Sequence, residues 1–112
     1  MVKIKLLKVL PSKKIGKKYD AYFLLDNEKE KVVSFGASGY RDYTLINDKN
    51  SKWYLPKILD RNVTQASYLR RHRSNENWNN PLSPGALSRW ILWNKKTLGG
   101  SIKHFKNKFK LN

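Results

Sequence analysis

The amino-acid sequence predicts a small α+β domain, in which an N-terminal three-stranded antiparallel meander is covered by about three C-terminal helices. Three strand-like stretches, rich in aliphatic and aromatic residues, occur in residues 1–36 and are separated by polar turns. Beyond residue 64, apolar residues recur every three or four positions, which is typical of amphipathic helices. We therefore expect one domain over 1–112, with a sheet over 1–36, a loop-rich connection over 37–63 and a helical part over 64–112.

The first predicted strand is the stretch VKIKLLKVL, in which Val2, Ile4 and Leu6 alternate with lysines. The phase of this alternation shifts after Leu6, because Leu7 and Val9 are the apolar residues of the second half. A β-bulge, which places one extra residue in a strand, is the expected cause.

Two further strands complete the predicted meander. The stretch PSKKIGKK is predicted as a loop, YDAYFLL as the second strand, DNEKE as a polar turn and KVVSF as the third strand. Three strands with a single apolar face are only marginally stable alone, so we expect helices to pack on that face.

The first predicted helix runs from near Thr64 to Arg73, because TQASYLRRHR contains no helix breaker. The preceding stretch SKWYLPKILDRN stays open, since Pro56 is able to start a short helical turn. In the following stretch PLSPGALSRWILWNKK, Ser83 is the expected N-cap and Pro84 the first helical residue.

The apolar stripe of this second helix has the spacing i, i+3, i+4 and i+7. We therefore expect Trp90 in the core and Trp93 at the margin of the stripe, half-exposed. The residues of the stripe are Leu87, Trp90, Ile91 and Asn94.

A third helix is predicted in TLGGSIKHFKNKFK, with either Thr97 or Ser101 as its N-cap. Two consecutive glycines weaken its first turn, which favours a start at Ser101. Its apolar stripe consists of Leu98, Ile102, Phe105 and Phe109, and its basic outer face of Lys103, Lys106 and Lys110.

Charge and composition restrict the classes of function. The chain has 24 Lys and Arg against 8 acids, which gives a net charge of +16. The net charge of a soluble domain of this size is usually about 2–8 in magnitude. It has no cysteine, which excludes disulfides and thiolate metal sites. No apolar run approaches the ~20 residues of a membrane span, and the N-terminus does not resemble a signal peptide, so we expect no span and no secretion.

The excess of positive charge predicts a polyanionic partner, DNA or RNA, with an anionic membrane or an acidic protein surface as alternatives. It is uneven, since residues 41–112 carry fifteen basic and four acidic side chains. Trp78 is interpreted either as a core plug or as a platform on which a base stacks. The predicted nucleic-acid contacts are Arg41, Arg70, Arg71, Arg73, Lys95, Lys96, Lys103, Lys106, Lys110, Trp78 and Tyr43.

Catalytic chemistry is a weaker prediction. His72 and His104 are 32 residues apart, and a metal site requires several ligands at short spacing, so we expect no metal and no cofactor. A metal-dependent nuclease remains an alternative that would require Asp42, His72 and Glu76 to meet in one cleft. The glycine pair in FGASGY is able to expose N–H groups to an anion, but its spacing is that of no phosphate-binding motif.

Several of these motifs together resemble a family of small basic proteins of unknown function encoded by large nucleocytoplasmic DNA viruses. The resemblance covers about Ser34 to Phe109, with an apparent insertion around Trp53 to Gln65. It implies a viral origin and a location in the virion or in the cytoplasm or nucleus of the infected cell, and it brings no activity. The matching residues are Phe35, Gly36, Gly39, Tyr40, Asp42, Tyr43, Arg71, His72, Asn77, Trp78, Ser88, Trp90, Trp93 and Asn94.

The sequence therefore favours a nucleic-acid-binding protein that contacts phosphates largely independently of base sequence, in a role such as viral genome packaging. Two alternatives stay open. A minor structural protein of the virus capsid or core is expected to expose a contiguous apolar patch. A metal-dependent nuclease is expected to have the cleft described above.

Overall fold

The computed structural model describes residues 4–111, so Val2 and Lys3 of the first predicted strand lie outside the described residues. The α+β fold class and the three-stranded antiparallel meander are confirmed. Within this range no helix has both the length and the apolar character needed to cross a bilayer. The elements are β1 (Lys5–Pro11), β2 (Lys17–Leu24), β3 (Glu30–Ala37), α1 (Tyr43–Ile46), α2 (Ile58–His72), α3 (Pro84–Leu87), a π-helical turn (Ser88–Leu92) and α4 (Leu98–Lys108).

The sheet has the strand order β1-β2-β3 and contains the bulge that the sequence predicted. Leu6 pairs with Phe23 and Lys8 pairs with Tyr22, so Leu7 has no partner of its own. The extra residue explains why the apolar phase of β1 shifts at this point.

The core lies between the sheet and the helices. Its central side chains are large and fully buried, which is what the predicted apolar face of the sheet and the stripe of α4 require. They include Leu6, Phe23 and Phe35 from the strands and Ile46, Leu87, Ile91 and Phe105 from the helices.

The loop-rich connection predicted over 37–63 is wrong in two places, because it contains α1 and the first six residues of α2. The side chain of Asp42 caps α1 by accepting a hydrogen bond from the Leu45 N–H at 3.0 Å. Helix α2 begins at Ile58, soon after Pro56, and the Arg61 N–H already donates to the Lys57 carbonyl. Pro56 precedes the N-cap Lys57 and lies outside the helix, so the short helical turn that the sequence left open at Pro56 does not form, and α2 instead extends six residues before the predicted start.

The prediction for Trp90 and Trp93 is also wrong: Trp93 is 6% exposed, whereas Trp90 is only partly buried. The cause is the π-helical turn, in which the Trp93 N–H donates to the Ser88 carbonyl five residues earlier, at 3.1 Å. A turn widened by one residue rotates the following side chains around the helix axis. Leu92 and Trp93 are thereby turned into the core.

Two N-caps follow the sequence prediction. The Ser83 hydroxyl accepts a hydrogen bond from the Ala86 N–H at the start of α3, with Pro84 as the first helical residue. Helix α4 starts at Leu98, earlier than the glycines suggested, because the Thr97 hydroxyl accepts from the Gly100 N–H at 3.1 Å.

Candidate functional site

A concave site of about 510 Å³ lies between the sheet and the helices. Its walls come from the start of β2, the end of β3 with the turn that follows, the second half of α2, and α3 with the π-helical turn. The volume is within the range of ~300–1,000 Å³ that is usual for small-molecule sites. We call it the cationic cavity, because its lining contains Lys17, Lys18, Arg41 and Arg71.

The cations of the cavity come from three separate segments. Arg41 and Arg71 were predicted as anion contacts from the sequence, and the structure brings them to the same cavity. Lys17 and Lys18 were not predicted, because lysines at the start of a strand look like ordinary solvent-exposed residues. Only the adjacent Gly16, which has a φ of +87° and precedes β2, signalled a special backbone geometry there.

One of these cations is fixed by an ion pair. Lys18 Nζ lies 2.6 Å from Asp42 Oδ2 and donates a second hydrogen bond to the Tyr40 carbonyl at 2.7 Å. The other Asp42 oxygen accepts from the Thr44 hydroxyl and from the Leu45 N–H. Asp42 is 1% exposed, and both of its carboxylate oxygens are therefore committed to partners within the protein.

The second acid of the cavity is also held by neighbours. Glu76 Oε2 lies 3.0 Å from His72 Nδ1, and Glu76 Oε1 accepts from the Trp78 indole N–H at 3.0 Å. A Cβ at Gly85 would lie 3.0 Å from Glu76 Cβ, so glycine permits this close approach. The hydrogen bond to Glu76 orients the His72 ring at the cavity wall.

A stack of three aromatic rings forms part of the cavity wall. The Tyr68 ring lies between Trp93, at a centroid distance of 4.3 Å, and His72, at 4.2 Å. Burial raises the pKa of the Tyr68 phenol well above its ordinary value, so the phenol stays neutral. All three aromatic residues line the cavity, and the π-helical turn is what turns Trp93 towards it.

A second group of aromatic and cationic side chains lies along the helices. The Arg89 guanidinium carbon is 4.1 Å from the centroid of the Trp90 ring and 5.5 Å from that of Trp78, and Lys108 Nζ is 4.4 Å from that of Trp90. Burial lowers the pKa of Arg89. The Trp78 N–H is bonded to Glu76 and its ring lies close to Arg89. Trp78 is only partly buried and lies outside the core cluster, so it is not the core plug, and the choice between the two predicted roles stays open.

The other predicted contacts divide by exposure. Tyr43 is 8% exposed and packs in the core, so its ring is not accessible to a base. Tyr40, three residues earlier, lines the cavity and is 69% exposed, but it was not among the predicted contacts. Its signal in the sequence is the preceding Gly39, which has a φ of +84°. Of the cations predicted as contacts, seven lie outside the cavity: the exposed Arg70, Arg73, Lys95, Lys96, Lys103 and Lys110 and the partly buried Lys106.

The cleft expected of a nuclease is present in part. Asp42, His72 and Glu76 all line the cationic cavity. Both oxygens of Asp42 are occupied by hydrogen-bond donors, however, which leaves that carboxylate poorly placed as a metal ligand. Over residues 4–111, no group of three or more His, Cys, Asp or Glu side chains is positioned to hold a metal ion.

Comparison with known protein families gives a match over part of the chain. Residues 7–53 are similar to a family described as a family of unknown function (DUF5754). This segment begins within β1, includes α1 and ends at Trp53, and it overlaps the stretch that carries the resemblance noted above only over residues 34–53. Neither a curated protein nor a solved structure shows significant similarity to the chain.

Proposed function

We propose that the protein binds nucleic acid through backbone phosphates, largely independently of base sequence, and that it takes part in packaging the genome of a large DNA virus. The observation that carries the proposal is uncompensated positive charge. Among the described residues, Lys18 is the one lysine or arginine that forms an ion pair. Apart from Arg61 and Arg89, which are partly buried and hydrogen-bonded within the protein, most of the remaining cations are exposed and thus available to a polyanion, although the chain has 8 acids.

The positions of the cations also support contacts to phosphate rather than to base edges. Arg70 and Arg73 are exposed at the end of α2, Lys95 and Lys96 are exposed before α4, and Lys103 is exposed on α4. Long flexible cations on a solvated surface neutralise phosphates without reading sequence, and each phosphate neutralised releases condensed counterions.

A salt titration of duplex DNA binding tests the proposal. Four to eight phosphate contacts, at ~0.9 per contact, predict a slope of about −4 to −7 for log affinity against log salt concentration. Single-stranded DNA and RNA in the same assay identify the preferred polymer, and polyglutamate serves as a polyanion without phosphate. Absence of binding at 50 mM salt by folded protein, or equal binding of polyglutamate, would contradict the proposal.

The alternative of a structural virion protein is favoured by one feature of α2. Ile58, Leu59 and Val63 are apolar and exposed in the first half of the helix, and Leu59 and Val63, four residues apart, are neighbours on one face. A docking surface predicts that Leu59→Ser with Val63→Ser abolishes incorporation into particles while DNA affinity is unchanged. Normal incorporation of this variant would argue against the alternative.

The alternative of an enzyme is favoured by the convergence of His72 and Glu76 in a cavity that also contains cations. A histidine oriented by a carboxylate is the usual arrangement of a general base. Cleavage of a labelled oligonucleotide, in the presence of Mg²⁺ and of EDTA, tests this function. Cleavage by the original protein that is lost in the His72→Ala variant would show that the protein is a nuclease and would contradict the binding proposal.

A further inference from the structure

We propose that the cationic cavity binds the phosphorylated terminal nucleotide of a nucleic-acid strand. The inference rests on the proposed function in that it takes nucleic acid as the ligand. It adds a specific subsite to general phosphate contact, and it assigns different roles to neighbouring arginines of α2.

Charge is the first argument. Four cations and two carboxylates line the cavity, which gives a net charge of +2 with His72 neutral. Asp42 is neutralised by Lys18, while Lys17, Arg41 and Arg71 form no ion pair among the described residues. An internal phosphodiester carries one negative charge, whereas a phosphomonoester carries about −1.5 to −2 at neutral pH. The cavity therefore matches a terminal phosphate better than an internal one.

The types of cation support the same ligand. Arg41 and Arg71 have planar guanidinium groups, which bind phosphate oxygens in pairs through parallel N–H donors. They reach the cavity from different elements, Arg41 from the turn after β3 and Arg71 from α2. The two guanidinium groups and the Lys17 ammonium together supply enough N–H donors for the three terminal oxygens of a phosphomonoester.

Size and lining give the second argument. A cavity of about 510 Å³ is much larger than a phosphate group, so the remaining space is available to the attached nucleoside. Apolar and aromatic groups line that space, among them Leu92, Pro84 and the aromatic stack. Tyr40 is 69% exposed and is available as a ring on which a base stacks.

The walls of the cavity are fixed by contacts within the protein. The hydrogen bond from Lys18 Nζ to the Tyr40 carbonyl fixes the backbone at Tyr40, from which the exposed ring extends. At Gly36, with a φ of +80°, an added Cβ would lie 2.8 Å from Leu92 Cδ1, so strand β3 approaches the π-helical turn as closely as glycine allows. A site that is already formed spends less binding free energy on ordering its side chains.

A terminal nucleotide is also the unit that enters a cavity most easily. An internal nucleotide of a duplex must be unstacked and unpaired before it leaves the helix, which costs a few kcal/mol. A strand end needs less of this rearrangement, and the exposed lysines of α4 remain free to contact the rest of the strand.

The test compares single-stranded 12-residue oligonucleotides that carry a 5′-phosphate, a 3′-phosphate or no terminal phosphate, by fluorescence anisotropy at ~150 mM salt. Charge-assisted hydrogen bonds to the terminal phosphate predict at least about ten-fold tighter binding of one phosphorylated form. Arg71→Gln is expected to remove this preference. Its matched control is Arg70→Gln, which removes an exposed arginine outside the cavity and is expected to keep the preference.

Arg41→Gln provides a second cavity variant in a different segment, and thermal melting establishes that each variant is folded. Equal affinity for all three oligonucleotides, or equal effects of Arg70→Gln and Arg71→Gln on the preference, would overturn the inference and leave the proposed function intact. Failure of these oligonucleotides, of RNA and of duplex DNA to bind at 50 mM salt would instead overturn the proposed function.

Competition by adenosine 5′-monophosphate and by inorganic phosphate distinguishes a strand end from a free ligand. We expect both to compete at least ten-fold more weakly than the phosphorylated oligonucleotide, because neither reaches the cations outside the cavity. Competition by adenosine 5′-monophosphate that equals that of the oligonucleotide would identify a free nucleotide as the ligand and overturn the assignment to a strand end.

Discussion

The cationic cavity and the outer face of α4 are both rich in positive charge, but they are built in different ways. The cavity collects its cations from the start of β2, the turn after β3 and the end of α2, around buried groups such as Asp42. The outer face of α4 carries Lys103, which is exposed, and Lys106. Lys110, which the sequence predicted on the same helical face, lies instead beyond the end of α4 at Lys108, with a φ of +55°. Convergence of distant segments creates a shaped site, whereas periodicity along one helix creates only a charged surface.

This difference separates specificity from general affinity. Cations at the rim of a cavity are placed by tertiary contacts, so they recognise a ligand of defined shape and charge. Exposed lysines act through a field that salt screens within about 10 Å, so they attract any polyanion. Changes in the cavity walls should therefore cost stability or selectivity, and changes on α4 should alter the dependence on salt.

The largest effect is expected for Trp93→Ala in the cavity wall. Trp93 is buried and stacks on Tyr68, so its removal leaves a cavity in the core and should reduce the free energy of unfolding by about 3–5 kcal/mol. Trp90→Ala is the matched variant beside α4 and should cost less, about 1–3 kcal/mol, because that ring is only partly buried. Chemical denaturation measures both, and an equal or reversed order would contradict the role of the π-helical turn.

Asp42→Ala is expected to have the next largest effect. It removes the cap of α1 and leaves the mostly buried Lys18 ammonium without its partner, at a cost of roughly 2–4 kcal/mol. Asp48→Ala is the control, because Asp48 is an exposed turn residue and should change the stability by less than about 1 kcal/mol. Similar stabilities of the two variants would show that the Lys18–Asp42 pair does not organise the cavity.

Replacement of Lys103, Lys106 and Lys110 by Gln should leave stability within about 0.5 kcal/mol, because none of these residues forms an ion pair among the described residues. The salt dependence of DNA binding should become shallower by about one unit of log–log slope for each phosphate that the variant no longer neutralises. The preference for a terminal phosphate should persist. Disappearance of that preference would mean that α4 and the cavity act as a single site.

The smallest effect concerns pH and His104 of α4. Burial, together with the charges of Lys95 and Lys108, lowers the pKa of His104 below its ordinary value of about 6.5, and the neutral Nδ1 is able to accept the hydrogen bond from the Asn94 amide. The unfolded chain therefore binds a proton more readily. Stability from this group is fully present above about pH 6.5 and declines as the pH falls through the lower folded pKa.

His104→Gln should remove this decline, as measured by denaturation between about pH 7.5 and 5. Above that range the pH dependence of the variant and of the original protein should run parallel, which is the internal control. An identical decline in both proteins would show that His104 does not contribute to the acid sensitivity.

Local features of the fold were predictable from the sequence. The bulge in β1, the Ser83 cap with Pro84, and the apolar stripe of α4 depend on residues within a few positions of one another. Short-range periodicity and capping chemistry are sufficient to specify them. The net charge of +16, and with it the expectation of a polyanionic partner, also follows from composition alone.

Tertiary structure decided where those local elements meet. Lys17, Tyr40 and Arg71 are far apart in the sequence, and only the register of β2 with β3 and the packing of α2 bring them to one cavity. Trp90 and Trp93 show the reverse of their predicted burial for a related reason. The prediction assumed an ideal helical repeat, which does not reveal a π-helical turn. Charge is additive along a chain and can be counted from it, whereas a shaped site depends on long-range packing.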